Sequence, residues 1–295
     1  ANGISDQGSS QCGGVIGDSS SKNEVIISNC SNEGQIIGKG TAVGGIVGLN
    51  RGLATTQECK NIGEITGENQ YTGGITGASY GVIERSENQG KVTGKGEKAG
   101  GIAGCIGSTA TVERCVNKGE VIGENIGVGG ITGIAFGNIK TSYNVAKITG
   151  KMYRVGGITG EIGANANSNI ENCYNIGEIT GGSYQVGGII GLIASNATTV
   201  TVKNTYNIGK ITGKTGQIGG IVGGDTLPSA IIENNYYLSG TAEIGLGYSN
   251  KDVQGKTERK EEQEMKTEEF GNILNAGQEP AVWKGINGVY PELIN

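Results

Sequence analysis

Apolar residues along this chain come in short bursts of Ile, Val and Leu, and nearly every burst is closed by glycine. No 3.6-residue spacing is sustained through the first 240 residues. At that glycine density, where each Gly costs a helix about 1 kcal/mol relative to Ala, helical repeats are excluded. The bursts recur in order. The pattern x-Gly-Gly-(Ile/Val)-x-Gly stands at 12–17, 43–48, 72–77, 99–104, 128–133, 155–160, 186–191 and 218–223, with successive spacings of 31, 29, 27, 29, 27, 31 and 32 residues. A second element, (Cys/Ser/Thr)-x-Asn-x-Gly, follows each of the early copies, and then a third, (Glu/Lys)-(Ile/Val)-Thr-Gly. In the second copy these read Cys59-Lys60-Asn61-Ile62-Gly63 and Glu64-Ile65-Thr66-Gly67.

Three short strand-like pieces per turn of about 29 residues predict an all-β fold. The expected architecture is a parallel β-solenoid of about eight rungs, with glycine allowing the strained conformations of the corners. At about 4.8 Å per rung, eight rungs make a rod of roughly 40 Å. Length variation is expected between the first and second elements, where 161–172 is longer than 78–85.

Aligning the copies turns residues into columns. Asn32, Asn61, Asn88, Asn117, Asn144, Asn175 and Asn207 form one, expected to be a structural ladder of stacked side-chain amides. Two residues earlier stand Cys30, Cys59, Ser86, Cys115, Ser142, Cys173 and Thr205, which read as small inward-facing residues. Cys30 and Cys59 sit on adjacent rungs of that column, which leaves a disulfide between them open. Charge alternates in two further columns: Gln35, Glu64, Lys91, Glu120, Lys147, Glu178, Lys210 and Lys39, Glu68, Lys95, Glu124, Lys151, Gly182, Lys214. Side-by-side stacking rewards opposite neighbours, so the alternation specifies one copy per rung and penalises a slip.

Composition narrows the rest. The 295 residues include 58 Gly, no His and 6 Cys, with a net charge of -5. The mild acidity gives no reason to expect nucleic acid. No apolar run approaches the roughly 18 residues of a membrane span. Without His and without a Cys-x-x-Cys spacing, neither a metal site nor a cofactor is expected.

The Gly-Gly-Ile-(Val/Thr)-Gly elements, the Asn-x-Gly turns and the spacing near 29 resemble the GLUG repeat of bacterial surface proteins. That repeat also occurs in IgA-specific metallopeptidases, outside their catalytic domains. The resemblance covers about residues 12–240, and continues in Asn234-Asn235-Tyr236-Tyr237-Leu238, Glu264-Met265-Lys266, Phe270, Trp283 and Asn287-Gly288-Val289-Tyr290-Pro291. It implies an extracellular or cell-surface location, in a mature form without signal peptide, and an adhesive or stalk role. The partner would be a host or cell-wall glycan or a surface protein. The peptidase signature His-Glu-x-x-His is absent, so protease activity is not carried over.

Two segments follow: solenoid repeats at 1–240 and a C-terminal cap at 241–295. In the cap Met265, Phe270, Ile273 and Leu274 cluster on one side of a helix expected around 257–275. This cap is expected to cover the last rung, with Trp283 and Tyr290 packing on it.

The leading functional reading is a non-catalytic adhesin or rigid stalk. Tyr143, Tyr174, Tyr206 and Tyr236 share a column and are expected to point outward as a strip for glycan rings, with Trp283 as a further sugar platform and a self-packing ladder as the alternative. A polysaccharide-degrading β-helix enzyme is a second reading, weakened because the four Asp (Asp6, Asp18, Asp225, Asp252) are scattered. A third is an ice-binding solenoid with outward Thr columns (Thr66, Thr93, Thr149, Thr180, Thr212 and Thr76, Thr132, Thr159), which Ile122 and Ala103 interrupt.

Overall fold

A computed structural model describes residues 3–4, 11–20, 24–214, 216–225, 227, 229–249 and 252–294. Asp6 and the side chain of Asp225 lie outside the described residues. The chain winds as a parallel β-solenoid with one repeat copy per turn. The Gly-Gly pieces stack into one eight-stranded sheet, the following x-Gly pieces into a second, and the Thr-Gly pieces into a third. The stretch between, bent at the small-residue column, builds a longer fourth sheet. Register is in phase throughout, as in Ile65↔Val92, Thr66↔Thr93 and Gly67↔Gly94.

Two apolar cores run along the axis. The larger contains Ile46, Ile75, Ile102, Ile131, Ile158, Ile189 and Ile221, one from each Gly-Gly-(Ile/Val) element after the first, together with Ile83, Val112, Ile139, Ile170 and Val202 from the fourth sheet. The smaller stacks Val92, Val121, Ile148 and Ile179 against Ala99, Val128, Val155 and Val186. Between the cores the backbones approach closely. A Cβ on Gly44 would lie 2.6 Å from Gly77 N, and one on Gly45 would lie 2.6 Å from the Asn61 side chain. These glycines do sit at a corner, the bend between the Ala42–Gly44 and Val47–Asn50 strands, but close approach of neighbouring chain and not a left-handed backbone is what requires them. The bend in the fourth sheet is made by Asn29, Glu58, Arg85, Arg114, Thr141, Asn172, Asn204 and Asn234, all non-glycine residues at φ of 45 to 56°. Each pays a left-handed backbone cost, whereas the Gly-Gly positions are occupied by neighbouring chain that leaves no room for a side chain.

The asparagine column is a continuous buried ladder. Asn32 Nδ2 donates to Asn61 Oδ1 at 2.7 Å, and the same bond repeats at 2.7–2.8 Å through Asn88, Asn117, Asn144 and Asn175 to Asn207. Each Nδ2 also donates to the carbonyl two residues on, as Asn61 does to Gly63 at 2.9 Å. In the next turn Tyr237 replaces the Asn, fully buried, with its hydroxyl donating to Asp252 Oδ2 at 2.6 Å. The Cys/Ser/Thr column faces inward as expected, and none of its cysteines is in a disulfide.

The charge columns resolve into discrete pairs: Lys91–Glu120 and Lys147–Glu178 at 3.7 Å, Lys95–Glu68 at 3.5 Å and Lys151–Glu124 at 2.7 Å. Lys151 holds the Glu124 carboxyl below the usual range by hydrogen bond and charge. One threonine column departs from expectation. Thr76, Thr132 and Thr159 are fully buried, because their column is a core column shared with Val47, Ala103 and Ile190. Thr132 Oγ1 donates to Thr159 Oγ1 at 2.9 Å.

The end of the stack differs from the expected cap in two ways. Ile231–Leu238 still pairs in parallel with the preceding turn, and Thr257–Lys260 pairs with it in turn, so the winding runs past residue 240. Thr257–Lys260, expected to open a helix, is a strand because it completes that sheet. Helix α1 spans Glu262–Met265 and helix α2 Glu268–Asn275, where Thr267 Oγ1 caps the first turn by accepting from Phe270 N at 3.0 Å. A hairpin of Trp283–Ile286 and Val289–Leu293 follows. These elements lie on the flank of the last turns, as the packing below shows.

Candidate functional site

Tyrosines stack in two places, and their surroundings differ. In the expected column, Tyr143 and Tyr174 stack with ring centroids 4.5 Å apart, and Tyr174 and Tyr206 at 5.0 Å. This strip is not outward. Tyr174, Tyr206 and Tyr236 are 8, 1 and 6% exposed, while Tyr143 at the edge of the cover is half-buried. The cover is α2 and the hairpin: Phe270 meets Tyr236 edge-on at 5.2 Å, and Trp283 tilts over Tyr206 at 5.5 Å and Tyr174 at 5.8 Å. Trp283 is 2% exposed, so it anchors the cap and offers no face to a sugar. Tyr206 donates its hydroxyl to Pro291 O at 2.7 Å, and burial pushes its ionisation well above the usual range. The corner asparagines complete the seam. Asn172 Oδ1 accepts from Trp283 Nε1 at 3.2 Å and exchanges amide bonds with Gln278, and Asn234 Nδ2 donates to Ile273 O at 3.0 Å. The triplets Asn172-Cys173-Tyr174, Asn204-Thr205-Tyr206 and Asn234-Asn235-Tyr236 mark the covered turns in the sequence. Earlier turns carry Glu58-Cys59-Lys60 and Arg85-Ser86-Glu87 there, which suit water.

The second stack was not singled out from the sequence. It lies on the corner leading from the Thr-Gly strand to the Gly-Gly strand, a link of constant length through the middle and last turns. Its outer column reads Glu97, Ile126, Tyr153, Tyr184, Gly216. Tyr153 and Tyr184 stack at 5.1 Å with planes 3° apart, and Tyr184 remains 42% exposed. Gly216 ends the stack: a Cβ there would meet nothing within 4 Å, so no ring stands beyond Tyr184. Beyond it opens a cleft of about 730 Å³, lined by Gly216, Gln217, Thr212, Thr241, Glu243 and Arg259.

Behind these rings sits a buried charge cluster. Glu161 Oε2 accepts from Lys98 Nζ at 2.6 Å and from Arg154 Nη1 at 2.9 Å, with the Lys98 and Glu161 side chains 8 and 9% exposed. Lys98 and Glu161 belong to turns two apart. The intervening residue is Gly127, where a Cβ would lie 2.6 Å from Lys98 Cδ, so glycine is what lets the lysine pass. The Arg154 guanidinium also lies 5.4 Å over the Tyr153 ring, which couples the cluster to the platform. Arg154 Nε and, one turn on, Gln185 Oε1 are buried without a hydrogen-bond partner. Both groups have bonding capacity to spare beside an exposed aromatic face. Among the described residues no group of three or more Cys, Asp or Glu side chains is disposed to hold a metal ion.

The fold and its corner sites define a β-solenoid protein with a lateral C-terminal cover. No family model matches the chain, and no curated protein matches it either. Among solved structures it is similar to a protein of Bacteroides ovatus described as a "putative immunoglobulin A1 protease", with TM-score 0.57 and 21% identity over 86% of each chain. At that identity the likeness speaks to the fold.

Proposed function

We propose that this chain is a non-catalytic module of a GLUG-type bacterial surface protein, a rigid spacer that presents a glycan-stacking platform at Tyr153 and Tyr184. The carrying observation is that stack: two coplanar rings at the solenoid repeat distance, Tyr153 half-buried and Tyr184 exposed, terminated by Gly216 beside an open cleft. A sugar ring placed on the free face of Tyr184 continues the column where the protein supplies no ring. Gln217 and Arg259 in the cleft supply polar partners of the kind sugar hydroxyls use. Each stacked ring contributes on the order of 1 kcal/mol, so single-site binding is weak and useful through multivalency. The non-catalytic reading is supported by the chain's lack of His and by the engagement of Glu161, the one deeply buried acid among the described residues, with two cations. The ice-binding alternative loses the Thr76/Thr132/Thr159 column to the core.

A glycan array probed with the wild-type chain and with the Tyr153→Ser/Tyr184→Ser double variant tests the reading. Retention by the wild type and its loss in the variant is expected. Retention unchanged in the variant would overturn the platform, and cleavage of immunoglobulin A1 by the purified chain would overturn the non-catalytic assignment.

A further inference from the structure

The inward column Cys30, Cys59, Ser86, Cys115, Ser142, Cys173, Thr205 alternates thiol and hydroxyl after its first step. The hydroxyls have a defined task. Ser86 Oγ accepts from Cys59 N at 3.1 Å and Ser142 Oγ from Cys115 N at 3.0 Å, each one turn away. The thiols lean the other way, toward the preceding turn: Cys115 Sγ to Ile83 O at 3.6 Å and Cys173 Sγ to Ile139 O at 3.7 Å. In both cases the column residue of that preceding turn is a serine. Cys59 leans identically, toward Ile27 O at 3.6 Å, but there the column residue is Cys30. The register sets the two side by side: Ser31 pairs with Lys60, Asn32 with Asn61, and Lys60 N donates to Cys30 O at 2.8 Å. The Cys30 thiol stands near enough to add, after burial, to the upward shift of the Cys59 thiol. Cys12 pairs with Val43, and Cys105 with Ala78 and Ile134, so neither gains a thiol neighbour from its strand register.

We infer that Cys30 and Cys59 are a disulfide staple site, closed by exchange with a small-molecule disulfide, which ties the first turn of the solenoid to the second. Neighbouring strands lie about 4.8 Å apart, within the Cα separations of roughly 4.4–6.8 Å that a disulfide spans. Cys30 is partly exposed, whereas Cys59 is buried and burial pushes its thiol up to about 11. Cys30 therefore reacts first. Its thiolate attacks one sulfur of oxidised glutathione, forming a mixed disulfide and releasing one glutathione thiolate. Cys59, after losing its proton, attacks the Cys30 sulfur and expels the second glutathione. The two cysteines lose two electrons and two protons, and the oxidant becomes two glutathione thiols.

The native full-length chain is incubated with oxidised glutathione, quenched in acid, denatured, alkylated with iodoacetamide and weighed intact. The expected result is a fall from six alkylated cysteines to four, with a linked peptide pair containing Cys30 and Cys59. In Cys59→Ser, which installs the residue other turns already carry, Cys30 should instead stop at the glutathione mixed disulfide. Six alkylated cysteines in the wild type, a linked pair other than Cys30–Cys59, or a persistent wild-type mixed disulfide would each overturn the staple.

Discussion

Two tyrosine stacks are built by the same means and end in opposite environments. In-register winding places Tyr143, Tyr174 and Tyr206 face to face on one flank and Tyr153 and Tyr184 on another, at nearly equal ring spacings of 4.5–5.1 Å. The first stack lies mostly under Phe270 and Trp283, while the second stands open next to Gly216. Stacking is thus a by-product of register, and what distinguishes core from surface is the set of neighbours supplied from elsewhere. On the covered flank those neighbours are corner asparagines that bond the cap. On the open flank they are Arg154 and Gln185, which keep unused hydrogen-bonding capacity.

The comparison breaks most severely if the cover is removed. Trp283→Ala should destabilise docking of the cap by about 3–5 kcal/mol, as for buried Trp elsewhere. Denaturant unfolding should then show the cap leaving before the solenoid, and Tyr206 should become open to nitration.

Alkali should have the next largest effect, and only on the covered stack. Burial raises the ionisation of Tyr174 and Tyr206, and pushes Tyr236 up to about 12. A neutral form favoured by folding gives stability that is fully present below the ordinary value near 10 and declines as pH rises through the raised folded values. Spectrophotometric titration should show Tyr236 and its neighbours ionising late, together with cap release. Early ionisation of all eleven tyrosines would mean the stack is not covered.

A change in what both stacks share should cost less. Asn144→Leu takes one of two ladder partners from Asn117 and from Asn175 and should cost about 1–3 kcal/mol in thermal or denaturant unfolding. Tyr153→Ser with Tyr184→Ser should lower stability by less than that, about 1 kcal/mol, because the rings are partly solvated. Its main readout is lost glycan retention. The smallest effect belongs to the exposed charges: Lys147→Glu should cost no more than about 1 kcal/mol, and added salt should shrink the difference.

The winding, its register and the asparagine ladder were legible in the sequence because a repeat reports each position several times over. Asn in seven successive copies needs an explanation that a single Asn does not. The cap's seat was harder to read. A column says which residues are neighbours along the axis and nothing about which flank a later segment covers, so Tyr174, Tyr206 and Tyr236 looked outward. The Asn-x-Tyr triplets held that information, but only as a contrast with Glu58 and Arg85 at the same corner. Thr76, Thr132 and Thr159 misled for a related reason: a repeated Thr column reads as an outward face, while the glycines beside them draw two backbones together and make that face interior. The Lys98–Glu161 pair was invisible because it skips a turn, and only Gly127 between them permits it.

The asparagine ladder also has an electrical consequence. Every amide donates from the lower turn to the higher, from Asn32 toward Asn207, so the side-chain dipoles point one way and add instead of cancelling. As in a helix, aligned amides place partial positive charge at the end toward which their N–H groups point. That end is the turn where Tyr237 takes the asparagine position, and its hydroxyl is hydrogen-bonded to the carboxylate of Asp252. The ladder is therefore polarised along its length, with a negative side chain stationed at its electropositive end.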